Sequence, residues 1–419
     1  MNLQANATGA VAAITRRAAD RLRAGHLWVY RSDLESPTEL TPGALVTVVD
    51  LRRIPLGAAL ASSASEIALR LVSRQPGLTR AQYLADLRDR LAAALSLRTR
   101  VAAEAFSLSG EDNACRLFFA EADDVPGIVA DRYNGLVVVQ LLTQGTAQSD
   151  VRGVLTEVLS AQPWVDTIVE RPDPRVRELE HLPAVSEVPL FVREGCDGAL
   201  KTIFAINGVR FHFDAGAGQK TGAFLDQRLN YWMAMVYARG RALDVCTYQG
   251  GFALHLARQC SRVTGVDTSR AALEVADMNL ELNTGPNGLR KLSAGVDWIE
   301  ADAFELLRDY ADAGELYDTI VLDPPAFAKS KRAAEGAMRG YKELNLRALK
   351  MLAAGGTLVT CSCSHHVSLD DFTEVVRAAA VDSGRRVQLL ETRGAAPDHP
   401  AILTLPETSY LKCIILRVA

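Results

Sequence analysis

Asp244-Val-Cys-Thr-Tyr-Gln-Gly-Gly-Phe252 is the stretch from which the architecture of this chain is inferred first. It joins an apolar run, residues 242–245, to a helix-like segment that continues through residues 253–257. Gly250 and Gly251 allow a tight turn, and they let the backbone approach a ligand without a Cβ atom in the way. The stretch therefore predicts a strand, a nucleotide-type loop and a helix.

The same rhythm of short apolar runs and helix-length segments continues through the C-terminal half of the chain. The apolar runs occupy residues 242–245, 262–267, 296–299, 319–323 and 356–361. The helix between the second and third runs is predicted over residues 269–283, with Ser269 as its N-cap. Repeated βαβ units form a doubly wound, Rossmann-like parallel sheet that binds ligands at the carboxyl ends of its strands. We therefore expect functional residues directly after each strand.

The N-terminal half has a different pattern. Short β-branched runs with turn signals extend to about residue 74, and a helical period follows over residues 79–99. Further strands and a helix over residues 150–159 are predicted up to residue 170. The chain is therefore predicted to be an α/β protein with a β-rich domain over residues 1–77, a central α+β domain and a Rossmann-like domain whose pattern is clear from about residue 241.

The composition is typical of a globular protein. Of 419 residues, 48% are hydrophobic and 23% are charged, which excludes a disordered chain and a collagen-like repeat. The net charge of −4 hides a basic N-terminal end: residues 1–100 hold 14 Arg, no Lys and 8 acidic residues, or 14 − 8 = +6, which leaves −4 − 6 = −10 for the rest. No apolar run approaches the roughly 20 residues of a membrane span, so we expect no membrane partner.

Cysteine usage indicates a reducing compartment. The seven cysteines are an odd number, scattered through a long chain in which no signal peptide is recognised. We therefore expect free thiols and a cytoplasmic protein.

The loop after the first strand favours S-adenosylmethionine as the cofactor. It lacks the G-x-G-x-x-G spacing that holds a pyrophosphate, so NAD and FAD are disfavoured, whereas a cationic sulfonium would be stabilised near Asp244. Asp267 ends the second strand, 267 − 244 = 23 residues later, where a carboxylate can accept both ribose hydroxyls. Asp302, after the third strand, is expected to accept from the adenine amino group. The alternative is that the glycines only form a turn and that both carboxylates are N-caps.

We also expect the segment before the first strand, residues 220–228, to pack over the cofactor. Gln227 and Arg228 would contact its methionine end, or else play a structural role. The complete set of predicted cofactor contacts is Gln227, Arg228, Asp244, Cys246, Thr247, Tyr248, Gly250, Asp267, Ser269, Asp302 and Asp323.

Two further strand ends carry the residues that suit methyl transfer to carbon. The fourth strand ends in Asp323-Pro-Pro-Ala-Phe327, where two prolines hold the main chain extended and present Asp323 at the sheet edge. The fifth ends in Val359-Thr-Cys-Ser-Cys-Ser364. A thiolate of Cys363 could add to C6 of a pyrimidine and activate C5, while Asp323, protonated in a desolvated pocket, could bond N3 of the ring.

Other interpretations of the fifth strand end remain open. Cys361 is the rival nucleophile, and Cys363 could instead be a small buried apolar residue. A metal site built from Cys361, Cys363, His365 and His366 does not match zinc-knuckle spacing, so we predict no metal. A reactive thiol there needs nearby positive charge, for which Lys329, Lys331, Arg332 and His365 are the candidates.

Taken together, these residues resemble the bacterial large-subunit ribosomal RNA cytosine-5 methyltransferases that carry an N-terminal PUA domain. The resemblance covers nearly the whole chain and implies a PUA domain at the N-terminus, a SAM-dependent methyltransferase domain, a catalytic cysteine at Cys363 and an acidic partner at Asp323. It also implies the limits 78–200 for the central domain and 201–419 for the last. Its strongest segments are residues 220–228, 246–252, 266–269, 323–327, 339–342, 362–364, 398–400 and 410–412.

Two basic segments are the candidates for RNA contact. Trp28, set among Arg21, Arg23 and Arg31, could combine base stacking with phosphate contacts. The alternative makes Trp28 a core residue and the arginines a solvated face. The second segment, after the fourth strand, contributes Lys329, Lys331, Arg332, Arg339 and Lys342. Because a base inside a duplex cannot reach a sheet-edge pocket, we predict base extrusion or a single-stranded target.

The sequence therefore favours a methyltransferase that makes 5-methylcytidine in large-subunit ribosomal RNA. One alternative is an RNA base N-methyltransferase of the same fold, and another is a non-catalytic RNA-binding ribosome assembly factor. Uracil as the target base and a homodimer as the oligomeric state also remain open.

Overall fold

The structure is a computed structural model, and it describes residues 10–35, 40–105, 112–216, 224–284, 292, 294–327 and 334–419. Within these ranges, no helix is both long enough and apolar enough to span a membrane. Lys329, Lys331 and Arg332, which were predicted to contact RNA, lie outside the described residues.

A five-stranded sheet and one helix form the N-terminal part of the fold. Its elements are β1 (Val11–Ala13), α1 (Arg16–Arg23), β2 (Trp28–Tyr30), β3 (Leu45–Val49), β4 (Pro55–Ala61) and β5 (Ile67–Ser73). The strand order is β1-β3-β4-β5-β2. Thr15 caps α1 by accepting a hydrogen bond from the Ala18 N–H (3.3 Å), and α1 buries Leu22 in the core of this part.

The middle of the chain forms a second five-stranded sheet with three helices. Its elements are α2 (Arg80–Ala105), β6 (Ala114–Phe119), β7 (Ile128–Tyr133), β8 (Leu136–Leu141), α3 (Ser149–Ser160), β9 (Thr167–Glu170), α4 (Pro174–Leu179) and β10 (Phe191–Val192). The strand order is β10-β9-β8-β7-β6. Leu60 and Val72 from the N-terminal sheet share one apolar cluster with Leu87 and Leu155, so the two sheets have a continuous core.

The C-terminal part contains a β-hairpin and a seven-stranded sheet covered by helices. The hairpin consists of β11 (Lys201–Ile206) and β12 (Val209–Asp214). The remaining elements are α5 (Arg228–Tyr237), β13 (Arg241–Val245), α6 (Gly251–Leu256), β14 (Arg262–Asp267), α7 (Arg270–Thr284), β15 (Gly295–Glu300), α8 (Ala303–Asp312), β16 (Tyr317–Leu322), α9 (Ala334–Met351), β17 (Leu352–Ser362), α10 (Leu369–Ser383), β18 (Val387–Arg393) and β19 (Lys412–Val418).

The strand order of the large sheet is β15-β14-β13-β16-β17-β19-β18, which confirms the predicted Rossmann-like α/β class. The strands β13 to β17 are mutually parallel. Two strands that were not predicted extend the sheet at one edge, where β19 runs antiparallel to both β17 and β18. The physical reason is the connection: α10 carries the chain from β17 to β18, whereas a loop over residues 394–411 lets β19 return between them in the opposite direction.

Buried polar contacts fix that returning loop against the middle of the chain. Arg98 on α2 donates to the carbonyl of Asp398 (2.9 Å), and the Asp398 carboxylate accepts from the N–H of Arg116 (3.0 Å). The N–H of Ala396 donates to the carbonyl of Asp226 (2.8 Å), immediately before α5. The loop therefore holds the segment that enters α5 in place beside the carboxyl ends of the strands.

Candidate active site

A cavity of about 1190 Å³ lies at the carboxyl ends of β13, β14, β16 and β17. This is the edge at which the sequence places the functional residues. The predicted site residues that line it are Gln227, Cys246, Thr247, Tyr248, Asp267, Ser269, Asp323 and Cys363. Four predicted cofactor contacts are not among the residues that line the cavity: Arg228, Asp244, Gly250 and Asp302.

Asp244 supports the loop after β13 from below. Its Oδ2 accepts hydrogen bonds from the Thr247 hydroxyl (2.6 Å) and from the N–H of Ala253 (2.8 Å). The side chain is fully buried, and burial raises its pKa to about 7. The carboxyl ties the loop to the start of α6 and is not among the residues that line the cavity, so the contact between Asp244 and the cofactor stays a prediction.

The loop after β13 forms a tight turn beside the cavity, which Cys246, Thr247 and Tyr248 line. Cys246 (φ 65°), Tyr248 (φ 51°) and Gly250 (φ 85°) all lie in the left-handed region. At Gly251 an added Cβ would lie 2.6 Å from the Tyr231 hydroxyl oxygen, so no larger residue fits there without a shift. The tight turn that the paired glycines predict is therefore present.

Asp267 is the acceptor that the loop presents to a ligand. Its Oδ2 accepts from the N–H of Tyr248 (2.9 Å) and its Oδ1 from the N–H of Ser269 (2.9 Å). Each carboxylate oxygen keeps a lone pair for a further donor, such as a ribose hydroxyl. A fixed carboxylate beside an exposed backbone turn fits the ribose end of S-adenosylmethionine.

Asp302 and Arg228 lie elsewhere. The Asp302 carboxylate caps α8 by accepting from the N–H groups of Phe304 (2.9 Å) and Glu305 (3.1 Å), while its neighbours Ala301 and Ala303 line the cavity. The guanidinium of Arg228 is buried and donates to the carbonyl of Ala114. For these two residues the structure supports the structural interpretation: an N-cap, and a brace between α5 and β6.

Asp323 is held in a fixed orientation at the end of β16. Its Oδ1 accepts from the Gln227 side-chain amide (3.0 Å), whose oxygen accepts from the Asn230 amide (2.6 Å). Burial, and then the negative charges of Asp226 and Asp244, raise the pKa of Asp323 to about 8. The carboxyl is therefore mainly protonated at pH 7 and can donate a hydrogen bond into the cavity.

Cys363 lies one residue beyond β17 and faces the same cavity. Its Sγ is 3.9 Å from the carbonyl oxygen of Pro324, which follows Asp323 in the chain. The rival Cys361 is fully buried, pairs in register with Cys413 on β19, and has a pKa well above that of an ordinary thiol because of its burial. All seven cysteines are described, and none forms a disulfide. The geometry favours Cys363 over Cys361 as the reactive thiol.

The sequence reasoning missed two residues that hold the Cys363 segment. The Tyr341 hydroxyl on α9 lies 2.9 Å from the Ser362 Oγ and 2.9 Å from the Ser364 Oγ, so it bridges the two serines that flank Cys363. Lys412, the first residue of β19, donates to the carbonyl of Ser364 (2.7 Å). Both lie in segments that carry the family resemblance, which was the available signal.

The residues considered as metal ligands, Cys361, Cys363, His365 and His366, do not form a metal-binding group in the structure. His365 stacks in a tilted arrangement on Tyr410, with ring centroids 5.3 Å apart, and burial lowers its pKa. Across the part of the chain that the structure describes, no group of three or more His, Cys, Asp or Glu side chains could hold a metal ion.

The predicted RNA contacts near the N-terminus are engaged within the protein. The Trp28 indole donates to Glu121 (2.8 Å) in the middle of the chain. The Arg31 guanidinium donates to the carbonyls of Ser62 (3.2 Å) and Ser65 (2.7 Å). Trp28 therefore links β2 to the middle of the chain and Arg31 braces a turn, while contact of either residue with RNA stays a prediction.

The remaining cations are surface groups with acidic neighbours. Arg21 pairs with Asp33 (2.6 Å). Arg23 pairs with Asp50 and, at 3.3 Å, with Asp20. On the C-terminal part, Arg339 pairs with Glu335 (3.0 Å) and Lys342 with Asp382 (2.7 Å). These two pairs are exposed and therefore weak, so Arg339 and Lys342 remain available to phosphate, whereas Asp33 and Asp50, the partners of Arg21 and Arg23, are buried.

Comparison with known proteins agrees with this architecture. A family model described as S-adenosylmethionine-dependent methyltransferase matches residues 124–412, and one described as PUA-like domain matches residues 13–74. A protein of Cronobacter sakazakii named ribosomal RNA large subunit methyltransferase I is 35% identical over 399 residues, which cover 92% of this chain and 94% of that protein. The protein of the same name from Shewanella amazonensis is 40% identical over 305 residues, covering 72% and 74%.

A solved structure from Streptococcus mutans, provisionally assigned as a SAM-dependent methyltransferase, shares the fold with a TM-score of 0.77 and 18% identity. The match covers 98% of this chain and 100% of that one. The chain therefore belongs to the S-adenosylmethionine-dependent methyltransferase family, with relatives named ribosomal RNA large subunit methyltransferase I.

Proposed function

We propose that this protein makes 5-methylcytidine in large-subunit ribosomal RNA. The observation that carries the proposal is the meeting of Asp323 and Cys363 at one cavity, from the ends of two adjacent strands, with the Cys363 Sγ 3.9 Å from the carbonyl of the residue that follows Asp323. A buried acid beside a thiol suits addition to a pyrimidine ring, whereas direct N-methylation needs no thiol nucleophile.

The cofactor end of the cavity is assigned to the loop after β13 and the end of β14. Asp267 would accept the ribose hydroxyls, and the turn from Cys246 to Tyr248, which lines the cavity, would hold the methionine part. Bound S-adenosylmethionine supplies an electrophilic methyl group.

The chain's own residues would act in sequence on the base. The Cys363 thiolate forms a bond to C6, and the electron pair of the C5–C6 double bond moves toward C5. Protonated Asp323 donates a hydrogen bond to N3 and stabilises the charge that spreads into the ring. Once C5 carries the methyl group, a base takes the C5 proton, the double bond re-forms, and the C6–S bond breaks to return the thiolate.

Ribosomal RNA is proposed as the substrate from the names of the relatives and from the PUA-like match over residues 13–74. We propose the domain limits 1–77, 78–200 and 201–419 and a cytoplasmic location. With Trp28 and Arg31 engaged inside the protein, the cations left for RNA are Arg21, Arg23, Arg339, Lys342, Lys329, Lys331 and Arg332. The target base must leave its stack to reach the cavity.

The test is product analysis. Unmodified large-subunit ribosomal RNA is incubated with S-adenosylmethionine and the wild-type protein, Cys363→Ala or Cys361→Ala, and the nucleosides are identified by mass spectrometry. We expect 5-methylcytidine from the wild type and from Cys361→Ala, and none from Cys363→Ala. An N-methylated base would support the N-methyltransferase alternative, methylated uridine would change the target base, and no product despite cofactor binding would favour the assembly factor.

A further inference from the structure

Lys412 is a buried cation placed directly behind the Cys363 segment. It begins β19 and pairs in register with Ser362, the last residue of β17. Only 6% of the residue is exposed. Its Nζ donates to the carbonyl of Ser364 (2.7 Å) and to the carbonyl of Tyr410 (2.7 Å). The ammonium is therefore fixed by the residue that follows Cys363.

The two carbonyls hold Lys412 but do not neutralise it. In the described part of the chain, the hydrogen-bond partners of its Nζ are these two carbonyls, and no carboxylate acts on its charge. Burial lowers the pKa of Lys412 to about 8, while the negative charge of Cys363 acts in the opposite direction. A buried charge is costly unless an opposite charge accompanies it. A thiolate at Cys363 is the anion that this arrangement can accommodate.

The other titratable groups described around Cys363 carry little charge near pH 7. Asp323 is mainly protonated because its pKa is raised to about 8. Burial raises the pKa of Tyr341 on α9, and burial together with the charge of Lys412 lowers the pKa of His365. His365, one of the cations expected to activate the thiol, is therefore neutral, and the structure offers Lys412 in its place.

We propose that Lys412 is a positioning residue whose ammonium, fixed on the carbonyls of Ser364 and Tyr410, stabilises the thiolate of Cys363 and so activates the nucleophile. The inference rests on the proposed function, in which Cys363 attacks the base. Proton loss from the thiol goes to solvent, and Lys412 keeps its own protons throughout. A purely structural Lys412 would fix the segment without changing the ionisation of the thiol.

The test measures thiolate formation without methyl transfer. Iodoacetamide alkylation of Cys363 is followed from pH 5.5 to 9.5 by mass spectrometry of the Cys363 peptide, in the full-length wild type, Lys412→Met and Lys412→Arg. Lys350→Met is the matched control, because Lys350 is an exposed lysine in the last turn of α9, at the end of β17 that lies far from Cys363. Binding of S-adenosylhomocysteine checks that each variant is folded.

We expect Lys412→Met to alkylate Cys363 roughly 10- to 100-fold more slowly at pH 7, with its midpoint moved to higher pH, since a nearby unit charge changes thiol ionisation by one or two pH units. Lys412→Arg, which keeps the charge, should have an alkylation midpoint closer to that of the wild type. Lys350→Met should have the wild-type midpoint. An unchanged midpoint in folded Lys412→Met would overturn the proposal.

A wild-type midpoint at or above about 8.5, the value of an unperturbed thiol, would overturn the proposal even if Lys412→Met does not fold. Failure of the proposed function is a separate outcome: a wild type that makes no 5-methylcytidine but shows the charge-dependent midpoint would keep Lys412 in its role and remove only the assigned reaction.

Discussion

Replacing Asp323 with asparagine should strongly slow methyl transfer and yet make the folded protein more stable above neutral pH. The substitution keeps the shape of the side chain and an Oδ1 that accepts from Gln227, as in the wild type (3.0 Å). It removes a carboxyl whose pKa is raised from 3.8 to about 8, chiefly by burial. It also exchanges the acidic O–H that Asp323 donates to the base for an amide N–H, which is a far weaker acid and stabilises less of the charge on the ring, so activity falls for a reason unrelated to folding.

The size and sign of the effect follow from proton linkage. In the unfolded chain Asp323 ionises near pH 3.8, whereas in the folded protein it stays protonated up to about pH 8. The folded state therefore holds the extra proton in this window, and the wild type loses stability as the pH rises through it. At about 1.4 kcal/mol for each pH unit, the upper bound is roughly 6 kcal/mol, and because the cavity admits water we expect about 1 to 3 kcal/mol.

The assay compares thermal unfolding midpoints at pH 5 and pH 8.5. We expect Asp323→Asn to unfold within a few degrees of the wild type at pH 5 and roughly 3 to 10 °C above it at pH 8.5. Asp297→Asn is the control, because Asp297 is an exposed partner of Arg262 (2.8 Å) and should show no such trend. A variant that is less stable than the wild type at pH 8.5, or a difference that does not grow with pH, would refute the reasoning.

Two further substitutions test the two ends of the cavity. In the wild type, both carboxylate oxygens of Asp267 accept a hydrogen bond from a backbone N–H at 2.9 Å. Asp267→Asn replaces one of these oxygens with an NH2 group, which cannot accept, so S-adenosylhomocysteine should bind about 10-fold or more weakly by calorimetry. Unchanged affinity would remove Asp267 from the cofactor site. Tyr341→Phe deprives two buried serine hydroxyls of their shared partner, at a cost of about 1 to 3 kcal/mol in unfolding free energy. Its kcat should fall while cofactor affinity is kept; a loss of affinity alone would contradict the assignment.

The elements that follow from local pattern were predicted well. The helix predicted over residues 269–283 is Arg270–Thr284, and that predicted over residues 150–159 is Ser149–Ser160. Helical periodicity and capping are local properties, and the parallel strands are recognisable as short apolar runs. The hairpin β11–β12 was not predicted, because its stability depends on a distant helix: Asn279 on α7 accepts from the N–H of His212 (2.7 Å), as a neighbouring strand would.

The sequence predicts which residues meet at the cavity where each residue belongs to a motif at the end of one strand. It predicts less where segments that are distant in the chain come together. Asp267, Asp323 and Cys363 each follow a strand, so parallel packing brings them to one edge. Whether a carboxylate faces the cavity or turns under the loop depends on its rotamer and on its neighbours, which the sequence does not contain. For this reason Asp244 could be placed near the loop but not below it, and Lys412, about 50 residues after Cys363, was not connected to it.

The covalent step at Cys363 can be observed directly with RNA that contains 5-fluorocytidine. Fluorine at C5 cannot be removed as a proton is, so the bond between Cys363 and C6 should persist after the methyl group has reached C5. We predict a stable protein–RNA adduct that requires S-adenosylmethionine and maps to the Cys363 peptide, with the mass of a methylated fluorocytidine. No adduct under conditions that methylate normal RNA, or an adduct on another residue, would contradict the central claim.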